Sequence, residues 1–410
     1  MPKPHQVRHS QQTEQKESTI QVLSALCNRN FTVVTLINFF IMTTYYMIFI
    51  TSTFYAQKTF SLNLSDAGLT AGLMVIGCLV GRFLTGNLLS FFHCKKLLFT
   101  GLIFYILCIS ASFYIHSVFE LYVQRFFSGM GMGIIATITG TLIAYIVPQK
   151  YHGLGISLFS MSTALSLALG PFFGILLLNY VEYLSIIKID VIIAISCLFF
   201  FFLLKQIPYS VKHHRPFFEL YSYIDPRVVR FSLVALLMCL SYGCNQAFIT
   251  SYASERDLIH AASLFYLFYA FSAIATRPIT GSLYDKRGEN YIFVFIFLFT
   301  IISLCTLAFA KNSFTLLLAG ILFGIGFGNF HSLGQVVALT LVTKSRYPQA
   351  TTTFFVLFDL GIGIAPYLFG FVIPHIGFTG MYLTLVGTVL CSALLYYFVH
   401  GKKVRKNSSR

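Results

Sequence analysis

Long apolar segments constrain this chain more than any other feature. Val191 to Leu204 reads VIIAISCLFFFFLL, which is apolar on every face of a helix, whereas a membrane-spanning strand would alternate apolar and polar residues. Only 10% of the residues are charged and 57% are hydrophobic, while a soluble domain carries about 25% charged residues. The composition therefore excludes a soluble enzyme domain, a disordered chain and a disulfide scaffold. It predicts an all-α polytopic membrane protein.

Hydropathy, together with Gly, Pro and charge punctuation, predicts twelve transmembrane helices, because a helical span needs roughly 20 residues. The expected spans are 31–55, 67–89, 97–117, 121–147, 153–178, 186–204, 229–252, 261–284, 291–310, 314–342, 349–374 and 379–399.

The positive charge is distributed very unevenly between the two sides of the predicted spans. Of 28 Lys and Arg residues, 21 fall in the tails and in alternate loops, four fall in the other loops, and three lie within spans. This positive-inside bias predicts a multi-pass protein of the cell membrane, the inner membrane in a bacterium, with both termini cytosolic. It also explains the net charge of +15 without a nucleic-acid partner.

The two halves of the chain match at a fixed offset of 195 residues. At this offset Gly81 to Gly86 (GRFLTG) falls on Thr276 to Gly281 (TRPITG). Three glycines of the fourth span fall on three of the tenth, and Pro171 falls on Pro366. We therefore predict duplicated six-helix bundles. The expected segments are an N-terminal tail (1–30), a first bundle (31–204), a central loop (205–230), a second bundle (231–400) and a basic tail (401–410).

The loop after the eighth span reads GSLYDKRG, from Gly281 to Gly288. Its glycine permits close helix approach, and its acid can bind a neighbouring helix end or basic group. This pattern is typical of a loop that holds neighbouring helices together in one conformation and lets them slide past each other in another. The predicted gating residues are Arg82, Gly86, Arg277, Gly281, Asp285, Arg287 and Gly288, together with Gly170, Pro171 and Gly174 of the fifth span.

At this point the chain resembles the major facilitator superfamily, whose G-x-L-x-D-R-x-G-R loop follows the second and eighth helices. The resemblance runs from Phe31 to His400, although Ser90 stands where the first loop usually has an acid. It implies two bundles that rock around a site near the middle of the bilayer. In this family helices 1, 4, 7 and 10 line the cavity.

Two further stretches are similar to motifs of the same family. Leu121 to Gly131 resembles the fourth-helix motif, so Arg125 is implied in proton coupling; an interfacial anchor is the alternative. Ser166 to Gly174 resembles a fifth-helix motif associated with antiporters. Independently of the family, its Pro171 bends the helix, and Gly170 and Gly174 offer a flat packing face. A kinked packing helix of any polytopic protein is the alternative.

Asp359 is the acid predicted to lie deepest in the membrane. We expect the other twelve acids in loops, tails or the first turns of spans, whereas Asp359 lies about 10 residues into its span, roughly 15 Å deep. A carboxylate there costs several kcal/mol unless it is protonated, paired or exposed to water. We therefore predict proton coupling or substrate contact. The alternative is a structural ion pair, with an arginine among the candidate partners, or a hydrogen bond to a serine.

Polar and aromatic residues in spans 1, 7, 8 and 10 are predicted to line a binding cavity. His331 and Gln335 lie one turn apart, and histidine titrates near neutral pH. Packing of the aromatic residues and an interior hydrogen bond of the histidine are the alternatives. The predicted substrate-binding residues are Asn38, Tyr46, Asn245, Tyr269, His331 and Gln335.

The sequence contains no phosphate loop, no Cys/His cluster with zinc spacing and no G-x-S-x-G elbow. We therefore expect no enzyme activity, metal or cofactor. The expected function is secondary transport by a monomer, with proton-coupled efflux of a small amphipathic drug or metabolite, siderophore-like compounds among them. Uptake of an amino acid or peptide is the alternative, followed by a non-transporting receptor or scaffold.

Overall fold

The computed structural model describes residues 28–89, 91–148, 152–205, 224–343 and 346–402. Within these ranges the chain is almost entirely helical and contains no strand. The predicted tails (1–30 and 401–410) and central loop (205–230) lie mostly outside the described residues, so their boundaries stay predictions.

Ten helices precede one very long helical run. These are α1 (Arg29–Phe60), α2 (Leu64–Leu88), α3 (Cys94–Ser110), α4 (Val118–Ile146), α5 (His152–Leu178), α6 (Tyr183–Phe202), α7 (Pro226–Glu255), α8 (Ile259–Arg287), α9 (Glu289–Ala308) and α10 (Ser313–Thr340).

The final run, Tyr347–Tyr396, contains one non-helical residue, Gly377, with φ 68° and ψ 179°. Gly377 divides the run into α11 (347–376) and α12 (378–396), and a π-helical turn, Tyr397–Gly401, follows. All eleven runs are long and apolar enough to cross a membrane. The predicted twelve spans are therefore confirmed, with ends shifted by a few residues.

Local capping explains where several helices begin. The Asn28 side chain accepts a hydrogen bond from the Phe31 amide at 2.9 Å, which starts α1. Ser117 and Glu120 form a reciprocal capping box at the start of α4. Each cap satisfies amide groups that a first helical turn leaves without partners.

The glycines of α4 and α10 reveal the internal repeat in three dimensions. A Cβ on Gly129 would lie 1.9 Å from the Met74 carbonyl oxygen, and one on Gly324 would lie 2.2 Å from that of Tyr269. Both the glycines and their partners differ by the predicted offset. Two further pairs of contacts follow the same offset. Gly131 contacts Tyr105 as Gly326 contacts Thr300, and Gly133 contacts Cys78 as Gly328 contacts Ala273. The duplicated architecture is thus confirmed.

The two halves meet where α2 packs on α11, α5 on α8 and α1 on α7. We name the side of the molecule that holds the start of α1 and the end of α12 the terminal face, and the other side the opposite face. Near the opposite face, a Cβ on Gly68 would lie 2.4 Å from the Pro366 carbonyl oxygen. The Ser65 hydroxyl donates to the Tyr367 carbonyl there at 3.2 Å. We call this α2–α11 contact the glycine seam.

Three glycines toward the terminal face are not crowded. A Cβ on Gly86 of α2, Gly140 of α4 or Gly281 of α8 would meet nothing within 4 Å. The close approach expected at Gly86 and Gly281 is therefore absent from this conformation. The tightest contact between the halves lies on the opposite-face side of the molecule.

Candidate functional site between the two bundles

Asp359 and Arg82 form an ion pair that joins the two halves of the protein. The Nη1 atom of Arg82 lies 2.9 Å from the Oδ2 atom of Asp359, and their side chains are 35% and 16% exposed. Arg82 belongs to α2 and Asp359 to α11, so the pair continues the glycine seam toward the terminal face. Arg82, predicted to act in gating, is thus the partner of the predicted proton-coupling acid.

The charge state of this pair affects the contact between α2 and α11. Asp359 lies near the middle of α11, where an ionised carboxylate needs compensation, and the Arg82 guanidinium provides it. Removal of one charge from such a pair leaves the other without a partner in a poorly solvated place. Neutralisation of Asp359 by a proton would therefore release Arg82 and weaken the contact between α2 and α11.

A tyrosine of one helix lies beside the ion pair, and tyrosines of two further helices lie beside that one. Tyr46 of α1 lies within electrostatic range of both Arg82 and Asp359. Tyr242 of α7 and Tyr269 of α8 lie within such range of Tyr46, and their ring centroids are 6.2 Å apart. The structure thus places the predicted residue Tyr46 beside Asp359, and the predicted residue Tyr269 beside Tyr46. It adds Tyr242, which sequence reasoning missed.

The Tyr242 hydroxyl is a buried polar group without a hydrogen-bond partner among the described residues. Its ring stacks on Phe327 of α10, with centroids 4.7 Å apart and planes 6° apart. An unpartnered buried hydroxyl is costly unless something binds to it. Both rings are buried in this conformation, so the hydroxyl could meet a guest only when these helices separate.

Two predicted substrate-binding asparagines have their polar atoms occupied by other helices. Asn38 is 2% exposed and donates to Ser162 and Thr163, each at 3.0 Å, while its oxygen accepts from Thr139 at 3.1 Å. It therefore connects α1 to α4 and α5. This arrangement favours a structural role over substrate contact.

Asn245 is used in the same way in the second half. Its amide donates to the Tyr266 hydroxyl at 3.3 Å, and its oxygen accepts from the Tyr382 hydroxyl at 3.1 Å. The side chain is fully buried and joins α7 to α8 and α12. Sequence reasoning placed both asparagines inside the protein, but it did not identify the helices to which they are hydrogen-bonded.

His331 and Gln335 occupy α10 on its terminal-face side. His331 is exposed and lies beside the rings of Phe355 and Phe358, with centroids 5.3 and 5.1 Å away. Gln335 is half-buried. The interior alternative for His331 is therefore wrong, because its ring lies at the surface of α10 against two phenylalanines.

The third arginine predicted within a span, Arg125, is fully buried. Its Nη2 atom donates to the Tyr183 hydroxyl, and the guanidinium lies 5.7 Å from the centroid of that ring. A snorkelling side chain must reach the membrane surface, so the anchor alternative is wrong. Arg277, by contrast, is half-buried on α8.

One expectation about the acids is wrong. Asp190 is 0% exposed and lies inside α6, which starts at Tyr183, three residues earlier than predicted. It is therefore about seven residues into the helix, roughly 10 Å deep. Asp359 is not alone within the membrane.

The predicted packing face of α5 lies against α1. A Cβ on Gly170 would come within 2.6 Å of the Tyr46 Cβ, and one on Gly174 within 2.9 Å of a methyl group of Ile50. The fully buried Ser166, which stands where the family motif usually has glycine, donates to the Phe39 carbonyl on α1 at 2.7 Å. Gly170 and Gly174, which flank Pro171, thus set the spacing of α5 and α1 beside the tyrosines.

The loop between α8 and α9 consists of one residue. Gly288 has φ +81°, a conformation that side chains disfavour, and its amide caps α8 by donating to the Tyr284 carbonyl at 2.9 Å. Arg287 is exposed and lies over the Tyr291 ring, 4.9 Å from its centroid. The Asp285 side chain lies outside the described residues, so the role of this acid in gating stays a prediction.

These features define a class of protein, namely a polytopic helical membrane protein with two repeated bundles and a polar site between them. A structure of a mutant nucleoside transporter, NupG, superposes with a TM-score of 0.79 at 12% identity, over 91% of this chain and 100% of that one. At this identity the likeness concerns the fold.

The family model described as Major Facilitator Superfamily matches residues 34–302 and 231–410. The chain belongs to the major facilitator superfamily and is a multi-pass membrane transporter.

Individual relatives are remote. An uncharacterised MFS-type transporter of Methanocaldococcus jannaschii is 21% identical over 338 residues, 80% of this chain and 87% of that protein. Multidrug resistance protein 3 of Bacillus subtilis is 25% identical over 213 residues, 52% of this chain and 40% of that protein. Other relatives align over 21% to 32% of their length.

Proposed function

We propose that this transporter is a proton antiporter that exports a small amphipathic molecule, a drug or a metabolite. The observation that carries the proposal is the Arg82–Asp359 ion pair, 2.9 Å long, which lies within the membrane and joins one bundle to the other. A proton at Asp359 can act on the contact between the halves directly, because that residue is part of it.

The coupling follows from the charges. While Asp359 is ionised, Arg82 attracts it and α2 stays against α11. When the exported molecule binds from the terminal face and draws Arg82 away, the seam opens to the outer side, where Asp359 takes up a proton as the molecule leaves. Release of that proton inside restores the pair and resets the transporter. Arg125 contributes to coupling in the first bundle through its contact with Tyr183.

Tyr46, Tyr242 and Tyr269 supply the recognition of the exported molecule in this proposal. Aromatic rings bury apolar surface, and their hydroxyls orient polar groups of the guest. His331 lies on the route from the terminal face. We assign the terminal face to the cytosol because of the positive-inside bias, with both chain ends there and the protein in a bacterial inner membrane. Each monomer contains a complete site.

The test uses everted membrane vesicles with an acidic lumen and a pH-sensitive dye. Lipophilic cations, amino acids and iron-chelating metabolites are added in turn to vesicles with wild type, Asp359→Asn or Glu255→Gln. Glu255 is an exposed acid at the end of α7 on the opposite face and serves as the matched control. We expect one compound class to release lumenal protons with wild type and Glu255→Gln but not with Asp359→Asn.

Several results would contradict the proposal. Active expulsion of the compound by Asp359→Asn against its gradient would remove Asp359 from coupling. Movement of protons into the vesicle lumen together with the compound would indicate proton symport, which corresponds to uptake of a nutrient such as an amino acid or peptide. If no compound changes the dye signal although the protein is correctly inserted, a non-transporting receptor or scaffold would be favoured.

A further inference from the structure

The first bundle contains a buried carboxyl group that the proposed transport cycle does not use. Asp190 of α6 is 0% exposed, and neither of its oxygens has a hydrogen-bond partner among the described residues. Buried carboxylates are normally paired or multiply hydrogen-bonded. Asp190 therefore calls for a physical explanation.

The nearby cation also has unused donors. Arg125 of α4 acts electrostatically on Asp190, yet its Nε and Nη1 atoms lack hydrogen-bond partners among the described residues. A guanidinium has five N–H donors, and this one is directed through Nη2 to the Tyr183 hydroxyl. A buried acid and a buried cation thus lie near each other without a hydrogen bond between them.

Among the described residues, the other titratable groups recorded around this pair are hydroxyl groups and thiols, which stay uncharged near neutral pH. Tyr105 of α3 lies within electrostatic range of Asp190 and of Cys108 and Cys197. Tyr183 lies on the same helix as Asp190. The Tyr55 ring of α1 stacks on the Tyr183 ring, with centroids 3.9 Å apart. The Tyr105 hydroxyl is already hydrogen-bonded to Thr44 at 3.0 Å.

This arrangement fits a neutral Asp190 better than a charged one. An isolated buried carboxylate is penalised far more strongly than its protonated form. An ionised Asp190 would attract Arg125, which has two donors to offer, and the pair would close to a charge-assisted contact. Their separation therefore corresponds to the proton-loaded arrangement.

We propose that Asp190 is a second proton-binding site of this chain, which exchanges a proton as Arg125 alternates between Tyr183 and the Asp190 carboxylate. When the acid O–H bond breaks, the proton passes to water on the opposite face. That face is the nearer one, because α6 begins there. The ionised carboxylate then forms an ion pair with Arg125. This site lies within one bundle and shares Arg125 with the proposed antiport but not Asp359, so titration of the Asp190 carboxyl in Asp359→Asn distinguishes the two proposals.

Infrared difference spectroscopy tests this without a transported compound. Purified full-length protein in lipid nanodiscs is titrated from acid to alkaline pH, and the carbonyl stretch of protonated carboxylic acids is followed. Because neither Asp190 oxygen accepts a hydrogen bond, its band should lie at the high-frequency end of this region. We expect that band to disappear with rising pH in wild type and in Asp359→Asn, and to be missing in Asp190→Asn.

A second variant keeps the test decisive if Asp190→Asn fails to fold. Arg125→Gln removes the cation that stabilises the ionised acid, so the same band should persist to higher pH. An unchanged set of bands in Asp190→Asn would overturn the proposal. So would a band that Asp190→Asn removes but that stays constant over the whole pH range, since Asp190 would then be permanently neutral. An unshifted midpoint in Arg125→Gln would contradict the role of the arginine.

Discussion

A side chain at position 72 would start 2.5 Å from the carbonyl oxygen of Gly363, on the other half of the protein. Cβ atoms do not approach carbonyl oxygens so closely, and both atoms belong to packed helices. Residue 72 of α2 must therefore be glycine for α2 and α11 to meet as they do. The same constraint applies at Gly68, which faces Pro366.

Gly72→Ala should therefore hold the seam open on the opposite face. Gly86→Ala is the matched control, because it adds the same methyl group to the same helix with nothing within 4 Å. Ser65 is buried near that face, and a single cysteine there reports on opening. In a background without native cysteines, a membrane-impermeant maleimide should label Ser65→Cys several-fold faster with Gly72→Ala. Equal labelling in both variants would show that the seam does not control access.

The Arg82–Asp359 pair predicts a non-additive effect on stability. Arg82→Gln leaves an acid inside the membrane without its partner, at a cost between roughly 1 kcal/mol for an exposed pair and about 3 kcal/mol for a buried one. The double variant with Asp359→Asn removes both charges and should be more stable than the sum of the single effects implies. Thermal unfolding in detergent would measure this. Additivity within about 0.5 kcal/mol would mean that the pair contributes no coupling.

The asparagine of α1 and the tyrosine of α7 should behave in opposite ways. Asn38→Ala removes three interhelical hydrogen bonds and should cost about 1–3 kcal/mol of stability, with little effect on ligand affinity in protein that folds. Tyr242→Phe removes a hydroxyl without a partner among the described residues. It should leave the thermal midpoint unchanged or higher.

Ligand binding distinguishes the two variants further. If the Tyr242 hydroxyl contacts the transported molecule, Tyr242→Phe should raise its dissociation constant about five- to tenfold, the equivalent of one hydrogen bond. The ligand for this measurement is the compound found in the vesicle assay. A large loss of stability in Tyr242→Phe, or a large loss of affinity in Asn38→Ala, would reverse these assignments.

Gly170→Ala should push α5 away from α1. The added methyl group would lie 2.6 Å from the Tyr46 Cβ and 2.9 Å from the Thr43 carbonyl oxygen, and overpacking of this kind typically costs about 1–3 kcal/mol. Gly140→Ala, on α4, has open space around it and should be nearly neutral or slightly stabilising. A lower thermal midpoint in the first variant alone is the expected result, and equal midpoints would contradict it.

The sequence was sufficient for the twelve helices, the repeat and the position of Asp359 far from the ends of its span, because apolar length, glycines at a fixed offset and the distance of an acid from the span ends can all be read from the sequence. It could not identify Arg82 as the partner, since the register of α2 against α11 depends on backbone contacts such as that of Gly72. Asp190 was missed because the predicted start of α6 was three residues late, which moved the acid to the membrane edge. Asn38 was correctly placed inside, but its three partners determine its role.

The corner at Gly377 has a mechanical consequence. No flexible loop separates α11 from α12, and the far end of α12 is tied to the start of α9. Asn290 donates to the Gly401 carbonyl at 2.9 Å and accepts from the Tyr396 hydroxyl at 3.0 Å, and His400 pairs with Glu289. α11 and α12 thus form one continuous element that bends at Gly377. A tilt of α11 begun at Asp359 would therefore reach the start of α9 on the terminal face through the bend at Gly377 and through α12.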